Sequence, residues 1–205
     1  MPIETEHVER ARGWLDAVEA GLVAAAEGRI EAPIELSGAE LRGGIAAVAA
    51  KFLAVGTPRT LGLVLAGARA AGLVAAQCAY AAPRELRVHE EDGEAAAALA
   101  ASLAGPGLAA RATSLREACA CDIVVVAGPA EIRREWIRAG TLLTVLAHNA
   151  SLEPSLLAAA VVFAVGDRER DPDGPRVHAT LAAVAAGLVD GRQLDEIIVL
   201  LPPAT

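Results

Sequence analysis

Aromatic residues are nearly absent from this chain of 205 residues: two Phe, two Trp and one Tyr make up 2% of it, although 54% is hydrophobic. The core must therefore be assembled from Ala, Val, Leu and Ile, whose small side chains imply close packing of helices and sheet, with few pockets filled by rings. Cysteine is scarce too. Cys78, Cys119 and Cys121 form neither an even disulfide framework nor a C-x-x-C zinc pair, so they are expected to be reduced, small apolar residues. His7, His89, His148 and His178 are scattered without ligand spacing, and no metal site is expected. Long hydrophobic runs are missing: stretches such as 141–147 and 156–165 are too short to span a bilayer. The N-terminal MPIETEHVER is polar and acidic, without a signal-peptide pattern. Basic excess is also lacking, since 18 Lys and Arg face 26 Asp and Glu for a net charge of −8 and a pI near 5.0. That balance repels phosphate backbones and anionic membrane surfaces. The expectation is a cytoplasmic protein with no nucleic-acid or membrane partner.

At this length the chain fits one ordinary domain, or one domain with a small appendage, and can bury a substantial core. Apolar residues at Val8, Ala11, Leu15, Val18 and Leu22 recur with a helical period, and Gly28 ends that helix. RIEAPIEL (29–36) reads as a short edge strand interrupted by Pro33. Ser37 and Glu40 have capping-box spacing for a helix that runs to about Val55. From there strands and helices alternate. Strands are expected at 60–66, 85–89, 109–113, 122–127, 141–147, 160–165 and 196–201. Helices are expected at 68–80, 94–104, from the capping box SLRE (114–117), at 153–159 and at 177–188. The charged stretch GDRERDPDGPRV (166–177) reads as a solvated connection. Short apolar strands alternating with helices predict an α/β fold, a Rossmann-like and mostly parallel sheet with helices on both faces. Residues 1–36 form the helix–strand appendage and 37–205 the Rossmann-like domain.

In such a sheet the first strand–turn–helix brings backbone N–H groups and a helix N-terminus against a pyrophosphate, and glycine allows the approach. Here TLGLVLAGARAAG (60–72) is half of the G-x-G-x-x-G/A fingerprint. Gly67 serves the central role, with Ala68 and Arg69 beside it, and Ala70 is small enough for the last. Leu65 stands where the first glycine belongs, and a branched side chain there opposes the tight turn. Some twenty residues on, Glu90 sits where an acidic residue accepts hydrogen bonds from an adenosine ribose. Glu91 and Asp92 follow, a run that also suits a helix N-terminus. An acidic residue disfavours a 2′-phosphate, so NAD is preferred over NADP; a chain that has lost the cofactor altogether is the alternative. Ala127 and Gly128, at the end of DIVVVAG, complete the candidate cofactor set.

PRTLGLVLAGARA (58–70), ACDIVVVAGPAEI (120–132), WIRAGTLLTVLAHNA (136–150) and LEPSLLAAAVVFAVGDRE (152–169) together resemble the ornithine cyclodeaminase and mu-crystallin family. WLDAVEAGLVAAAEGRIEAPIEL (14–36) is similar to that family's first helix and strand, and ELRGGIAAVAAKFLA (40–54) to its Leu-Arg-Thr-Ala helix. The resemblance implies a nicotinamide dinucleotide used to oxidise an amine or reduce an imine, as in cyclodeamination of ornithine or ketimine reduction. It also implies a substrate domain made by the two chain ends, which forms the dimer.

Several departures from the pattern accompany it. The long segment with the family's substrate-binding lysine is reduced to a few residues between APIEL and SGAELR. Arg42 matches the substrate-carboxylate arginine, but the following Thr-Ala has become Gly43-Gly44, a weaker helical position. Asn149 stands in place of the catalytic aspartate, and an amide cannot serve as a general base. The family's two threonines near the cofactor appear as Val126 and Gly128, its PGK-x-EL stretch as ASLEP, and the sequence stops at IIVLLPPAT where the resemblance implies a further final helix.

Three functions follow as expectations. One is a divergent, catalytically degenerate member that assembles with itself as a dimer or with another protein through apolar surface left by the shortened substrate domain. A second is a minimal NAD-dependent imine or amine oxidoreductase completed across a subunit interface, with Arg42 and Glu90 retained and His148 supplying the proton. A third is a sensor that binds a nucleotide or amino acid in the old crevice without reacting.

Overall fold

The computed structural model describes residues 5–29, 38–65, 70–165, 175–191 and 195–202, the side chains of residues 5–7, 10 and 39 excepted. The expected strand at 29–36, the Ser37 cap, the turn residues Gly67, Ala68 and Arg69, and most of the charged connection therefore lie outside the described residues. In chain order the elements begin with α1 (Thr5–Ala26), α2 (Gly38–Leu53), β1 (Thr60–Val64), α3 (Ala70–Tyr80), β2 (Glu85–His89) and α4 (Gly93–Leu103). Next come β3 (Ala109–Ala112), α5 (Leu115–Cys119), β4 (Ile123–Val126), β5 (Glu131–Ile132), a 3₁₀ turn (Arg134–Trp136) and β6 (Leu142–Val145). The chain continues through β7 (Ser151–Leu152), α6 (Pro154–Ala158), β8 (Ala160–Ala164), β9 (Val177–Thr180), α7 (Leu181–Ala185) and β10 (Ile197–Leu201).

Eight strands form one sheet in the order β3-β2-β1-β4-β6-β10-β8-β9, all parallel. The order reverses between β1 and β4, the point at which open α/β sheets leave a crevice beyond their strand ends. The central strands β1, β4, β6 and β10 are buried on both faces, which suits their unbroken Leu, Ile and Val runs. One face carries α2, α3, α4 and α7 over Leu61, Leu63, Leu86 and Leu142. The other carries α5 and α6 over Val64, Val124, Val126 and Leu143. Among the described residues no helix is long and apolar enough to cross a membrane.

With so few rings in the core, backbones come close together. An added Cβ at Gly62, mid-way along β1, would lie 2.0 Å from the carbonyl oxygen of Ala118 in α5. Outside the helices on its face lies α1, packed on α2, α3 and α7. Gly43 and Gly44, which look like weak points in α2, are where α1 beds down. A Cβ on Gly44 would meet Val18 Cγ2 at 2.7 Å and the Trp14 ring at 3.1 Å, and one on Gly43 the same ring and the α3 backbone at 3.4 Å. At the other end of this contact Lys51 donates to Glu19 at 2.6–2.7 Å, and its ammonium stands 5.2 Å from the centre of the Tyr80 ring.

One expectation changes. Residues 177–188 are not one helix: Val177–Thr180 add a parallel edge strand to β8, and only Leu181–Ala185 are helical. β-branched Val177 and Thr180 favour the extended form, and the Thr180 hydroxyl then caps α7 by accepting from Ala183 N at 3.1 Å. Over β2 and β3 the second face carries a polar surface. Arg87 and Arg111 stand opposite one another in the ladder, a repulsion that Glu85 relieves at 2.8 Å and 3.4 Å. The SLRE capping box forms as expected, Ser114 Oγ accepting from Glu117 N at 3.3 Å and Ser114 N donating to the Glu117 carboxylate at 3.1 Å.

The three thiols are free, and burial pushes those of Cys78 and Cys121 up to about 11 and that of Cys119 up to about 12, so they stay protonated apolar fillers. At the strands' N-terminal edge, Asp122 Oδ2 accepts from Arg59 N, Thr60 N and Thr60 Oγ1, each at 2.9 Å. Partial burial raises the Asp122 pKa. The bonds from Arg59 and Thr60, with Arg138 nearby, outweigh it and hold the carboxyl below its ordinary value.

Two stability results are expected. Replacing Gly62 with Ala forces α5 off β1, so urea unfolding shows a loss of about 2–4 kcal/mol, comparable to large core disruptions; a loss below ~0.5 kcal/mol contradicts the close approach. Because the Asp122 pKa is depressed by folding, its contribution is complete at neutral pH and fades as pH falls through the folded value. Asp122→Ala therefore costs about 2 kcal/mol at pH 7 and clearly less well below the free aspartate value of about 3.9. An equal cost at pH 7 and pH 3 contradicts the assignment.

Candidate functional site at the strand ends

The ladder aligns the C-terminal ends of four strands. Val64 is in register with His89 on one side and with Val126 on the other, and Val126 with Val145. One residue further on, Glu90, Leu65, Ala127 and Leu146 form the rim of the crevice. Thr113 joins it from β3, its N–H donating to Val88 O at 2.8 Å. From β2 to β6 the rim spans three strand spacings, about 14 Å.

Leu65 does not obstruct this rim. It continues the alternation of Leu61 and Leu63, so its side chain is 7% exposed within the core cluster that also contains Ala70, Leu73 and Val74. Its N–H donates to His89 O at 3.0 Å, and the described non-glycine residues with positive φ are Ala82 and Asp195, so it needs no glycine backbone.

Glu90 Oε1 and Thr113 Oγ1 are both sealed from solvent and meet no hydrogen-bond partner among the described residues. Thr113 was not singled out in the sequence. Its signal was its place, after a strand and directly before the Ser114 cap. Leaving a buried acceptor unmatched costs about 1–3 kcal/mol, more for a charged group, so these two atoms, after the ends of β2 and β3, are unspent hydrogen-bonding capacity. Asp92 needs no such completion, for its carboxylate caps α4, accepting from Glu94 N at 2.9 Å and Ala95 N at 3.3 Å. Glu90, unlike Asp92, is thus unspent, and unlike the exposed Glu91 it holds a buried oxygen.

The β4 and β6 loops are tied together beyond the rim. β5 and β7 pair in parallel, and Ser151 N donates to Ala130 O at 2.8 Å. Glu153 accepts from Arg134 N at 2.8 Å and from Ser155 Oγ at 2.6 Å, while Arg134 Nη1 donates to Ile137 O at 2.9 Å. Gly128 is buried at the end of β4, beside a partly buried Ala127. His148 and Asn149 are exposed at the tip of a turn closed by Ala150 N donating to Ala147 O at 3.3 Å. Arg42 is exposed near the start of α2. Since α2 ends a few residues before the start of β1, its first turn lies toward the same C-terminal edge. The structure thus gathers Glu90, Ala127 and Gly128 on the rim, with His148, Asn149 and Arg42 exposed around it.

Residues 38–202 match the ornithine cyclodeaminase/mu-crystallin family. The chain belongs to that family. Among curated relatives, alanine dehydrogenase from Archaeoglobus fulgidus is 26% identical over 179 residues, which is 77% of this chain and 55% of that protein. This ornithine cyclodeaminase/mu-crystallin member therefore spans about half the length of the curated relative it matches. In fold it resembles a solved archaeal alanine dehydrogenase dimer with bound NAD, with a TM-score of 0.81 and 19% identity, the match covering 100% of this chain and 90% of that one. It also resembles the Thermococcus litoralis Δ1-pyrroline-2-carboxylate reductase in complex with NADH and L-proline, with a TM-score of 0.71 and 22% identity over 81% of this chain and 59% of that one. These likenesses show the mostly parallel Rossmann-like fold of the family.

An isosteric substitution tests the rim directly. Thr113→Val removes a buried hydroxyl without a partner, so the ligand-free protein gains about 1 kcal/mol in thermal or urea unfolding. A loss of stability would mean that the hydroxyl is already bonded.

Proposed function

We propose that this ornithine cyclodeaminase/mu-crystallin family member is a nicotinamide-dinucleotide-binding protein that has lost the family's amine and imine chemistry. Orphaned Glu90 Oε1 and Thr113 Oγ1 on the rim carry this reading: a carboxylate and a hydroxyl fit the vicinal hydroxyls of a ribose. Held there, the dinucleotide would lie across Leu65 and Ala127 toward Gly128, and Glu90 would repel a 2′-phosphate, selecting NAD. NAD or NADH in the solved neighbours supports the choice.

Catalysis lacks its proton carrier. Asn149 cannot ionise, and its turn is open to water, where a substrate amine would exchange protons with solvent rather than with the protein. Residues 1–36 are read as what remains of the substrate domain, with α1 sealed onto the helices of the dinucleotide domain. Among the described residues the large exposed hydrophobic side chains are Leu41, 41% exposed, and Leu188, 66% exposed. A homodimer, as in the archaeal neighbour, would cover them without needing a broad apolar face.

A second reading keeps activity, with the site closed by another subunit. Exposure of Arg42 and His148 at one edge favours it, since both are free to face a partner. Titration with NADH and NADPH, followed by an NADH-consumption assay with cyclic imines, separates the two. Micromolar NADH affinity, NADPH at least about tenfold weaker, and no turnover above background are expected. Turnover that Arg42→Ala or His148→Ala abolishes would replace the first reading with the second.

A further inference from the structure

At the opposite, N-terminal edge of the sheet, the ends of α3 and α4 leave a cleft of about 480 Å³ beside the start of α1. Buried Leu103, Leu108 and Pro83 line it together with the half-buried Cys78 and Val8. Two turns shape its rim. Gly105 and Leu108 bond reciprocally, N to O, at 3.1 Å and 3.0 Å around Pro106 and Gly107, and the Gly107 φ of 83° is the one that a proline–glycine turn requires. Ala82 leaves α3 with a φ of 43°, in the left-handed region where a helix end ordinarily takes glycine. Non-glycine residues held in that region cluster at binding sites. Both turns are anchored to the sheet, Ala109 N donating to Arg84 O at 2.9 Å and Arg84 N to Arg59 O at 2.8 Å.

Arg84 is exposed on the rim and is the charged member of the described lining. Its guanidinium makes no hydrogen bond or ion pair with a described residue, whereas Arg87 and Arg111, which follow in β2 and β3, share Glu85. The cleft thus combines an apolar recess, of a volume within the range of roughly 300–1,000 Å³ usual for small-molecule sites, with one uncommitted cation at its mouth.

We infer that this cleft binds a small organic acid that carries one carboxylate on an aliphatic or aromatic body. The body covers Leu103 and Leu108, and the carboxylate meets Arg84, whose planar fork fits two carboxylate oxygens. One guanidinium balances one negative charge, which favours a carboxylate over a phosphate dianion. Arg84 precedes β2 and Glu90 follows it, so the length of the strand, about 20 Å, separates this site from the crevice. The two sites fill independently.

Amide chemical-shift titration of the full chain with octanoate and with octanol tests the site. Octanoate is expected to shift the resonances of Ala82, Arg84, Leu103 and Gly107 saturably and to bind about tenfold more tightly than octanol. Arg84→Gln, a change at an exposed position, lowers octanoate affinity by about tenfold, to the level of octanol. Saturating NAD⁺ leaves the octanoate dissociation constant within about twofold of its original value. No saturable shift at millimolar octanoate, equal affinity for octanol, or full octanoate affinity in Arg84→Gln overturns the inference. Displacement of octanoate by NAD⁺ also overturns it, since the acid would then occupy the crevice.

Discussion

The β3 end of the rim depends on the contact of Gly62 with α5. The strand offers no side chain at that point, and the helix lies so close that a methyl group would overlap the Ala118 carbonyl. Because α5 begins one residue after Ser114, its seat on β1 fixes the Ser114–Glu117 capping box, and the capping box fixes Thr113. Arg87 adds a second tie, donating from β2 to Glu117 O at 3.2 Å. The crevice is therefore positioned by backbone contact across a core nearly without rings. Gly44 repeats the device on the outer layer, where it admits Trp14 and Val18 of α1. A residue pair that looks like decay of the family's Thr-Ala is part of the packing that holds the N-terminal helix.

Much of the architecture was legible because it rests on local rules. Unbroken Val and Leu runs identified the buried strands, and SLRE identified a helix start by its spacing alone. Glu90 was legible as a candidate from its distance beyond the glycine turn. β9 was hidden, since RVHATLAAVAAGL carries apolar residues at helical spacing and the strand exists only through its partner β8. Where Leu65 points was hidden for a related reason. The fingerprint compares residue types at fixed spacing, whereas the period of two shared with Leu61 and Leu63 sends this side chain into the core and leaves the rim clear. Thr113 became visible only once the ladder had brought the end of β3 next to His89.

Strand order and register are those of a Rossmann-like sheet, while the loops that leave β4 and β6 are stapled by β5 and β7 and lead to an exposed turn bearing Asn149. Binding and catalysis are separable on such a fold because the sheet supplies the first and the loops the second.

Hydrogen–deuterium exchange with and without saturating NAD⁺ tests that division most directly, since it reports on the backbone of every segment at once. The account predicts added protection at the ends of β1, β2 and β3, through Leu65, Glu90 and Thr113, with the turn at His148 and Asn149 exchanging as before. Protection at that turn, or no change at Glu90 and Thr113, would contradict it.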